Sequence, residues 1–185
     1  MKRVGVLALQ GCVDPHLRHL SKIGATGVEV RSPKDLENIN RLILPGGEST
    51  TMLKLLHSTG LYSAIIKFAQ TQPVWGICAG AILLAREVTN PAQDSLGLID
   101  IKAHRNFYGS QLGSFEADVS IEPLDKTMHV HFIRAPMLEA LSNKVTVLSS
   151  YNGNPILLKE DRILASSFHS ELGSDSALHQ LFLDI

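Results

Sequence analysis

Several residue types are scarce in this sequence, and each scarcity excludes a class of protein. Only two of the 185 residues are cysteines, Cys12 and Cys78, which is too few for the disulfide framework of a small secreted domain. The formal net charge is -1, so there is no cationic surplus to attract nucleic acid or anionic lipid. No stretch approaches the roughly 18 apolar residues that indicate a membrane-spanning helix. We therefore expect a cytoplasmic protein without nucleic-acid or membrane partners.

The hydrophobic content is sufficient for one compact core. Hydrophobic residues make up 44% of the chain, and the length falls within the usual range of a single domain. The apolar run at residues 4–9 is too short for a signal peptide and is predicted to be a strand. We expect one domain over residues 1–185.

Apolar runs alternate with helical patterns in the first half of the chain. Strands are predicted at residues 4–9, 28–30, 41–44 and just before Cys78, and helices at 14–23, 50–56 and 61–70. This alternation indicates a mostly parallel central sheet with helices on both faces. The second half has β-type patterning at 97–103, 115–121, 129–134, 145–150, 156–159 and 163–168, before a closing helix at 176–183. The predicted fold class is α/β, with antiparallel strands added in the C-terminal half.

Cys78 lies between Gly76 and Gly80, where a short apolar strand is predicted to become a helix. Glycines allow the sharp turn of a nucleophile elbow, which presents a reactive side chain. The N-terminus of the following helix favours the thiolate, which is the form that attacks carbon. We predict an exposed, catalytic thiol, and the competing interpretation is an ordinary buried core cysteine.

A thiolate nucleophile needs a base, and the base needs a group that holds its tautomer. An apolar strand is predicted to end near His169, with Glu171 two residues later. Residues two apart on an extended segment face the same way, so Glu171 can reach one imidazole nitrogen while the other faces the thiol. A solvent-facing polar pair at the end of a strand is the alternative. Together with the elbow cysteine, the pattern favours a triad of Cys78, His169 and Glu171.

The turn at residues 45–48 contains two adjacent glycines. Ligands bind beyond the carboxyl ends of parallel strands, so this turn and the elbow should open on the same side of the sheet. The backbone amides of Gly47 and Ala79 are then predicted to stabilise an oxyanion. A simpler interpretation is that the glycines only make a tight connection.

Motifs that run in order over essentially the whole chain resemble those of the glutaminase subunits of pyridoxal 5'-phosphate synthase. They are LALQG at 7–11, LPGGEST at 44–50, GICAG at 76–80, RN at 105–106, SFE at 114–116, FIRAP at 132–136 and the His169-x-Glu171 element. The Cys, His and Glu elements are shared by the wider class I glutamine amidotransferases, whereas LPGGEST and FIRAP point to the vitamin B6 branch. The resemblance implies a flavodoxin-like class I amidotransferase domain.

The resemblance also implies hydrolysis of L-glutamine to L-glutamate and ammonia through a thioester on Cys78, with no cofactor or metal. The residues that would hold glutamine are carried over from the matching motifs: Gly46, Gly47, Glu48, Arg105, Ile133 and Arg134. A carboxylate suits the substrate's ammonium group and an arginine suits its carboxylate, although both arginines could equally be surface charges.

In this family the ammonia passes to a partner and is not released to solvent. The resemblance implies a barrel-shaped synthase subunit in a large hetero-oligomer, with Gln10 and Gly11 near the docking surface. It also implies that the glutaminase is poorly active alone.

Three positions depart from the family pattern. Ile77 stands where threonine is usual, Ser170 where proline is usual, and Ser110 where a basic residue is expected. Proline would restrict the backbone between the base and its carboxylate, so Ser170 is predicted to loosen their alignment and lower the rate.

Other functions remain open on the sequence alone. A different thiol hydrolase or a redox-sensing protein would use the elbow cysteine without the predicted glutamine-binding residues, and a non-enzymatic binding subunit would retain only the fold. A metal site on His129 and His131 is disfavoured, although the two side chains share a strand face, because no acidic or cysteine ligand lies nearby in sequence. Cys12 is interpreted as incidental.

Overall fold

The computed structural model describes residues 2–107 and 113–185. Its strands are β1 (Arg3–Leu7), β2 (Thr26–Val30), β3 (Arg41–Leu44), β4 (Val74–Ile77), β5 (Ala85–Thr89), β6 (Ile99–His104), β7 (Ser114–Ile121), β8 (Lys126–Ile133), β9 (Met137–Ala140), β10 (Thr146–Tyr151), β11 (Asn154–Glu160) and β12 (Ile163–Ser166). Its α-helices are α1 (Val13–Lys22), α2 (Ser49–Thr59), α3 (Leu61–Ala69), α4 (Ala79–Leu84) and α5 (Ala177–Leu183).

A seven-stranded sheet in the order β10-β11-β12-β4-β3-β1-β2 forms the centre of the fold. Strands β2, β1, β3, β4 and β12 run parallel to one another, whereas β11 is antiparallel to both β12 and β10. The predicted α/β class with a mostly parallel sheet and added antiparallel strands is confirmed. One continuous sheet therefore joins strands from both ends of the chain.

The central strands are apolar on both faces, because helices cover the sheet from both sides. On β3, Leu42 and Leu44 pack into one core with α2 and α3, and Ile43 packs into the other. Trp75 of β4 lies in that second core together with Phe182 of α5. All five side chains are fully buried, so β3 and β4 are fixed between two apolar layers.

Two smaller sheets flank the centre. Strands β5, β6 and β9 form one, and β7 and β8 pair as an antiparallel ribbon. The sequence analysis missed β5 and β9, along with short 3-10 helices at Pro33–Asn38 and Glu122–Leu124. Both missed strands have only four or five residues, which is too short for a period-2 pattern to stand out. Within the described ranges, every helix is too short or too polar to span a bilayer.

Candidate active site

Cys78 occupies the sharp turn between β4 and α4 that the sequence predicts. Its backbone has φ 50° and ψ -102°, a strained conformation for a residue with a side chain. A Cβ atom added at Gly80 would clash with the backbone carbonyl of Leu44, and one added at Gly76 would meet the backbone of Gly80. The two glycines are therefore required because the elbow packs directly against β3.

The thiol is less accessible than predicted. Cys78 is only 7% exposed, so the expectation of an exposed side chain is wrong. Its Sγ atom lies 3.9 Å from the carbonyl oxygen of Ile133, because β8 ends over the elbow. The thiol nevertheless lines a cavity of about 620 Å³, so a small molecule bound there would reach it.

His169 and Glu171 follow β12 and form the predicted pair. Nδ1 of His169 lies 2.6 Å from Oε1 of Glu171, and the two residues are 7% and 2% exposed. The backbone of His169 is also fixed, because it exchanges two hydrogen bonds with His131 of β8, at 2.7 and 3.3 Å. With Nδ1 donating to the carboxylate, Nε2 is the nitrogen available to the thiol.

The electrostatics of this pair favour a charged imidazole. Burial opposes the charge on His169, but hydrogen bonds and attraction from Cys78 and Glu171 outweigh it and raise the pKa of His169 to about 10. For Glu171 burial again works against the ionised form, and the hydrogen bond from His169 still lowers the pKa of the carboxyl. At neutral pH the site therefore contains an imidazolium beside a carboxylate.

A second group of histidines lies behind Glu171, and the sequence analysis did not find it. Nε2 of His16 lies 3.9 Å from Oε1 of Glu171, and Nε2 of His19 lies 3.2 Å from the Glu171 carbonyl oxygen. His16 also contacts His179 of α5, with 2.9 Å between Nδ1 and Nε2. Burial is the main reason that the pKa of His16 falls to about 4. Two histidines three residues apart on the predicted first helix were the only available signal.

One cavity contains nearly all of the predicted site residues. Those that line it are Gln10, Gly11, Gly46, Gly47, Glu48, Cys78, Ala79, Arg105, Ile133, Arg134 and His169. Glu171 is buried behind His169 and does not line the cavity. The sequence analysis missed five further lining residues, which are Cys12, Ser49, Ile82, Asn106 and Leu172.

The turn at residues 45–48 is anchored by the segment that follows β1. Oε1 of Gln10 accepts a 2.8 Å hydrogen bond from the backbone N–H of Glu48, and the N–H of Cys12 donates to the carbonyl of Gly46 at 3.0 Å. A Cβ atom at Gly46 would clash with the imidazole of His169. Gln10 thus holds the turn beside His169, a contact that the sequence analysis did not predict.

Glu48 and Arg105 place opposite charges at the cavity. The Glu48 side chain caps α2 by accepting hydrogen bonds from the N–H groups of Thr50 and Thr51, at 3.2 and 2.7 Å. A hydrogen bond from the Thr51 side chain is the first cause of a lowered pKa at Glu48, and the two backbone N–H groups add to it, so the carboxylate is charged at neutral pH. Nη2 of Arg105 lies 3.7 Å from Oε1 of Glu48. Arg134 has φ 45°, a strained conformation of the kind found at functional sites.

Two of the three unusual positions lie next to Cys78, His169 and Glu171 in the chain. Ile77 is fully buried in the core beneath the elbow, and Ser170 is 2% exposed. Ser170 Oγ is buried without a hydrogen-bond partner among the described residues. The 2.6 Å contact between His169 and Glu171 is made with serine at this position. Ser110 lies outside the described residues.

Comparison with known proteins gives a consistent result. Residues 6–185 match the model of the SNO glutamine amidotransferase family. Pyridoxal 5'-phosphate synthase subunit PdxT of Solibacter usitatus is 48% identical, and the match covers 99% of this chain and 98% of that protein. PdxT of Thermosipho africanus is 42% identical, and that match also covers 99% of this chain and 98% of the relative. A crystal structure of a glutamine amidotransferase aligns with a TM-score of 0.93 at 42% identity, over 98% of this chain and 97% of that one.

Proposed function

This chain belongs to the SNO glutamine amidotransferase family, and we propose that it is the glutaminase subunit of a pyridoxal 5'-phosphate synthase. The observation that carries the proposal is the single cavity in which Cys78, His169, Glu48 and Arg105 meet. A nucleophile, an acid–base group and two opposite charges suit a free amino acid whose side chain is attacked.

The proposed reaction proceeds in two steps on Cys78. The thiolate attacks the side-chain amide carbon of L-glutamine, and the resulting tetrahedral intermediate expels ammonia, which takes a proton from His169. A water molecule, which gives a proton to the now neutral His169, then attacks the thioester carbon, and the C–S bond breaks to release L-glutamate and restore the Cys78 thiolate beside a protonated His169. Glu171 holds the imidazole in one orientation and stabilises its positive charge in both steps.

The oxyanion of each tetrahedral intermediate needs donors on one side of Cys78. We assign these to the backbone amides of Ala79 and Gly47. One such donor is typically worth about 3 kcal/mol of transition-state stabilisation. The contact of Gln10 with the turn that contains Gly47 supports this assignment, because it fixes the turn next to His169.

The charged ends of glutamine are assigned to the other lining residues. Glu48 accepts the substrate's ammonium group, and Arg105 and Arg134 face its carboxylate. Gly46 and Ile133 contact the substrate through their backbones. An arginine fork and a carboxylate together select a free amino acid over a peptide side chain, because both charged ends must be present.

The ammonia is proposed to pass to a barrel-shaped synthase subunit within a large hetero-oligomer. The similar proteins are named as subunits of pyridoxal 5'-phosphate synthase, which supports such a partner. Gln10 and Gly11 are proposed to lie close to that partner. We also propose a cytoplasmic location, because a free thiolate nucleophile persists in a reducing compartment.

Covalent labelling tests the proposed site directly. The chain, together with the synthase subunit, is treated with a glutamine analogue that carries an electrophilic diazoketone in place of the amide, and is analysed by mass spectrometry. We expect one adduct per chain, located on Cys78, absent from Cys78→Ala and competed by L-glutamine. Labelling on Cys12, or labelling that L-glutamine does not slow, would instead indicate a different thiol enzyme or a binding subunit.

A further inference from the structure

The β7–β8 ribbon places two imidazoles and two carboxylates on one exposed face. Glu116 of β7 is directly opposite His131 of β8, and Asp118 is opposite His129. Residues two apart on a strand point to the same side, so all four side chains face the same way. The sequence analysis disfavoured a metal here because it found no acidic ligand nearby, but the strand pairing supplies Glu116.

The spacing of the donor atoms suits one metal ion. Glu116 Oε2 lies 3.0 Å from His129 Nε2, and Glu116 Oε1 lies 3.2 Å from His131 Nδ1. Ligand atoms from all three residues lie within 4.8 Å of one another. Donor atoms at 2.0–2.2 Å from a tetrahedral zinc ion are about 3.4 Å apart, so small rotations of the side chains would bring all three to one ion.

Asp118 is not one of the three metal-facing groups, but it contacts the imidazole of His129 from the opposite side. Its Oδ1 atom lies 2.8 Å from His129 Nδ1, the nitrogen that faces away from Glu116. A carboxylate that accepts this N–H fixes the tautomer in which Nε2 has a free lone pair, and carboxylate–histidine–zinc triads are built in this way. The Asp118 carboxylate therefore orients His129 so that its Nε2 atom faces Glu116.

We propose that Glu116, His129 and His131 form a Zn²⁺ site on the β7–β8 ribbon, with Asp118 as a positioning residue. Two imidazole nitrogens and one carboxylate oxygen suit Zn²⁺, whereas Mg²⁺ and Ca²⁺ prefer sets made entirely of oxygen. The remaining coordination position is open to water. The ion would clamp together two strands that pair only with each other in the described sheets, and one of them exchanges backbone hydrogen bonds with His169.

Isothermal titration of the full, tag-free chain with Zn²⁺ tests this site. The titration uses the Cys78→Ala chain, so that the catalytic thiol does not compete for the metal, at about pH 8, where protons compete less with the metal for imidazole nitrogens than at lower pH. We expect one Zn²⁺ per chain and no binding of Mg²⁺ or Ca²⁺. His129→Ala, His131→Ala or Glu116→Gln should each weaken binding by at least about tenfold, and Asp118→Asn by about 10- to 100-fold.

His57→Ala is the matched control, since His57 is also an exposed histidine but lies on α2, in another part of the fold. It should leave Zn²⁺ affinity unchanged. Zn²⁺ should also raise the melting temperature of the Cys78→Ala chain and not that of its His129→Ala derivative, because a ligand stabilises only the state that binds it. Unchanged affinity in His129→Ala, or an equal loss in His57→Ala, would overturn the proposal.

Discussion

At the scale of single residues, the contact between His169 and Glu171 governs the charge of the site. The carboxylate is buried and lies 2.6 Å from Nδ1, and it contributes to the raised pKa of His169. Its removal would leave the imidazole free to rotate and to lose its proton. The pair therefore acts as one unit, in which the carboxylate works through the histidine.

Glu171→Gln should lower kcat by about 100-fold or more and change KM little, because the carboxylate does not line the cavity. The pKa of His169 should fall, so the pH profile of the remaining activity should shift to lower pH. Steady-state kinetics from pH 6 to 10 would measure both effects. A kcat close to that of the wild type would contradict the assigned role of Glu171.

Ser170→Pro is the control within the same segment and also tests the prediction that serine loosens the pair. Because the contact is already 2.6 Å with serine present, we expect kcat within about threefold of the wild-type value. An increase well beyond that range would mean that Ser170 limits the alignment of His169 and Glu171.

At the scale of secondary-structure elements, the elbow depends on the close approach of α4 to β3. Gly80→Ala would push a Cβ atom into the Leu44 carbonyl. We expect it to lower the free energy of unfolding by about 1–3 kcal/mol, because backbone atoms cannot move aside cheaply. Urea denaturation would measure the change.

Gly173→Ala is the matched control for that substitution. Its added Cβ would lie 3.5 Å from the nearest atom, the Ser170 carbonyl oxygen, which is an ordinary contact. The free energy of unfolding should change by less than about 0.5 kcal/mol. An equal loss in both variants would mean that the Gly80 effect does not come from the close approach of the elbow to β3.

Helices α1 and α5 meet through His16 and His179, which are buried and uncharged at neutral pH. Burial is the main cause of the lowered pKa of both groups, and that of His16 is about 4. An unfolded histidine has a pKa near 6.5, so between pH 6.5 and about 4 the unfolded chain binds more protons than the folded chain. The folded state therefore loses stability as the pH falls through this window.

The free energy of unfolding should fall by up to about 1.4 kcal/mol per pH unit for each of the two histidines between pH 6.5 and 5. His169 contributes little well below pH 6.5, because it is then protonated in the folded chain through its raised pKa and in the unfolded chain through its ordinary pKa. Urea denaturation at several pH values would measure the slope, and His179→Leu should reduce it. His57→Ala should leave the slope unchanged, and a slope unaffected by His179→Leu would refute this account.

The sequence could predict the features that are encoded within one short segment of the chain. Strand β3 was predicted with the bounds 41–44 that it has, since its apolar run is bounded by turn residues. The elbow and the His169-x-Glu171 element lie within short segments and were also found. The contacts of His16 with Glu171 and of Glu116 with His131 depend on helix packing and strand register, which no short segment encodes.

At the scale of the whole molecule, the cavity is assembled from segments that are far apart in sequence. Gln10 follows β1, Cys78 follows β4 and His169 follows β12, so all three lie beyond the carboxyl ends of parallel strands. This is where ligands bind in open α/β sheets. Arg105 and Arg134 directly follow the flanking strands β6 and β8, so the ends of the smaller sheets complete one wall of the cavity.

The most direct test of the account is glutamate release from L-glutamine by the purified chain, alone and with a pyridoxal 5'-phosphate synthase subunit added. We expect little activity alone, a rise when the partner is present, and loss of that activity in Cys78→Ala, with Cys12→Ser unchanged. Glutamate release that persists in Cys78→Ala, or no release by the wild-type chain under either condition, would contradict the proposed glutaminase.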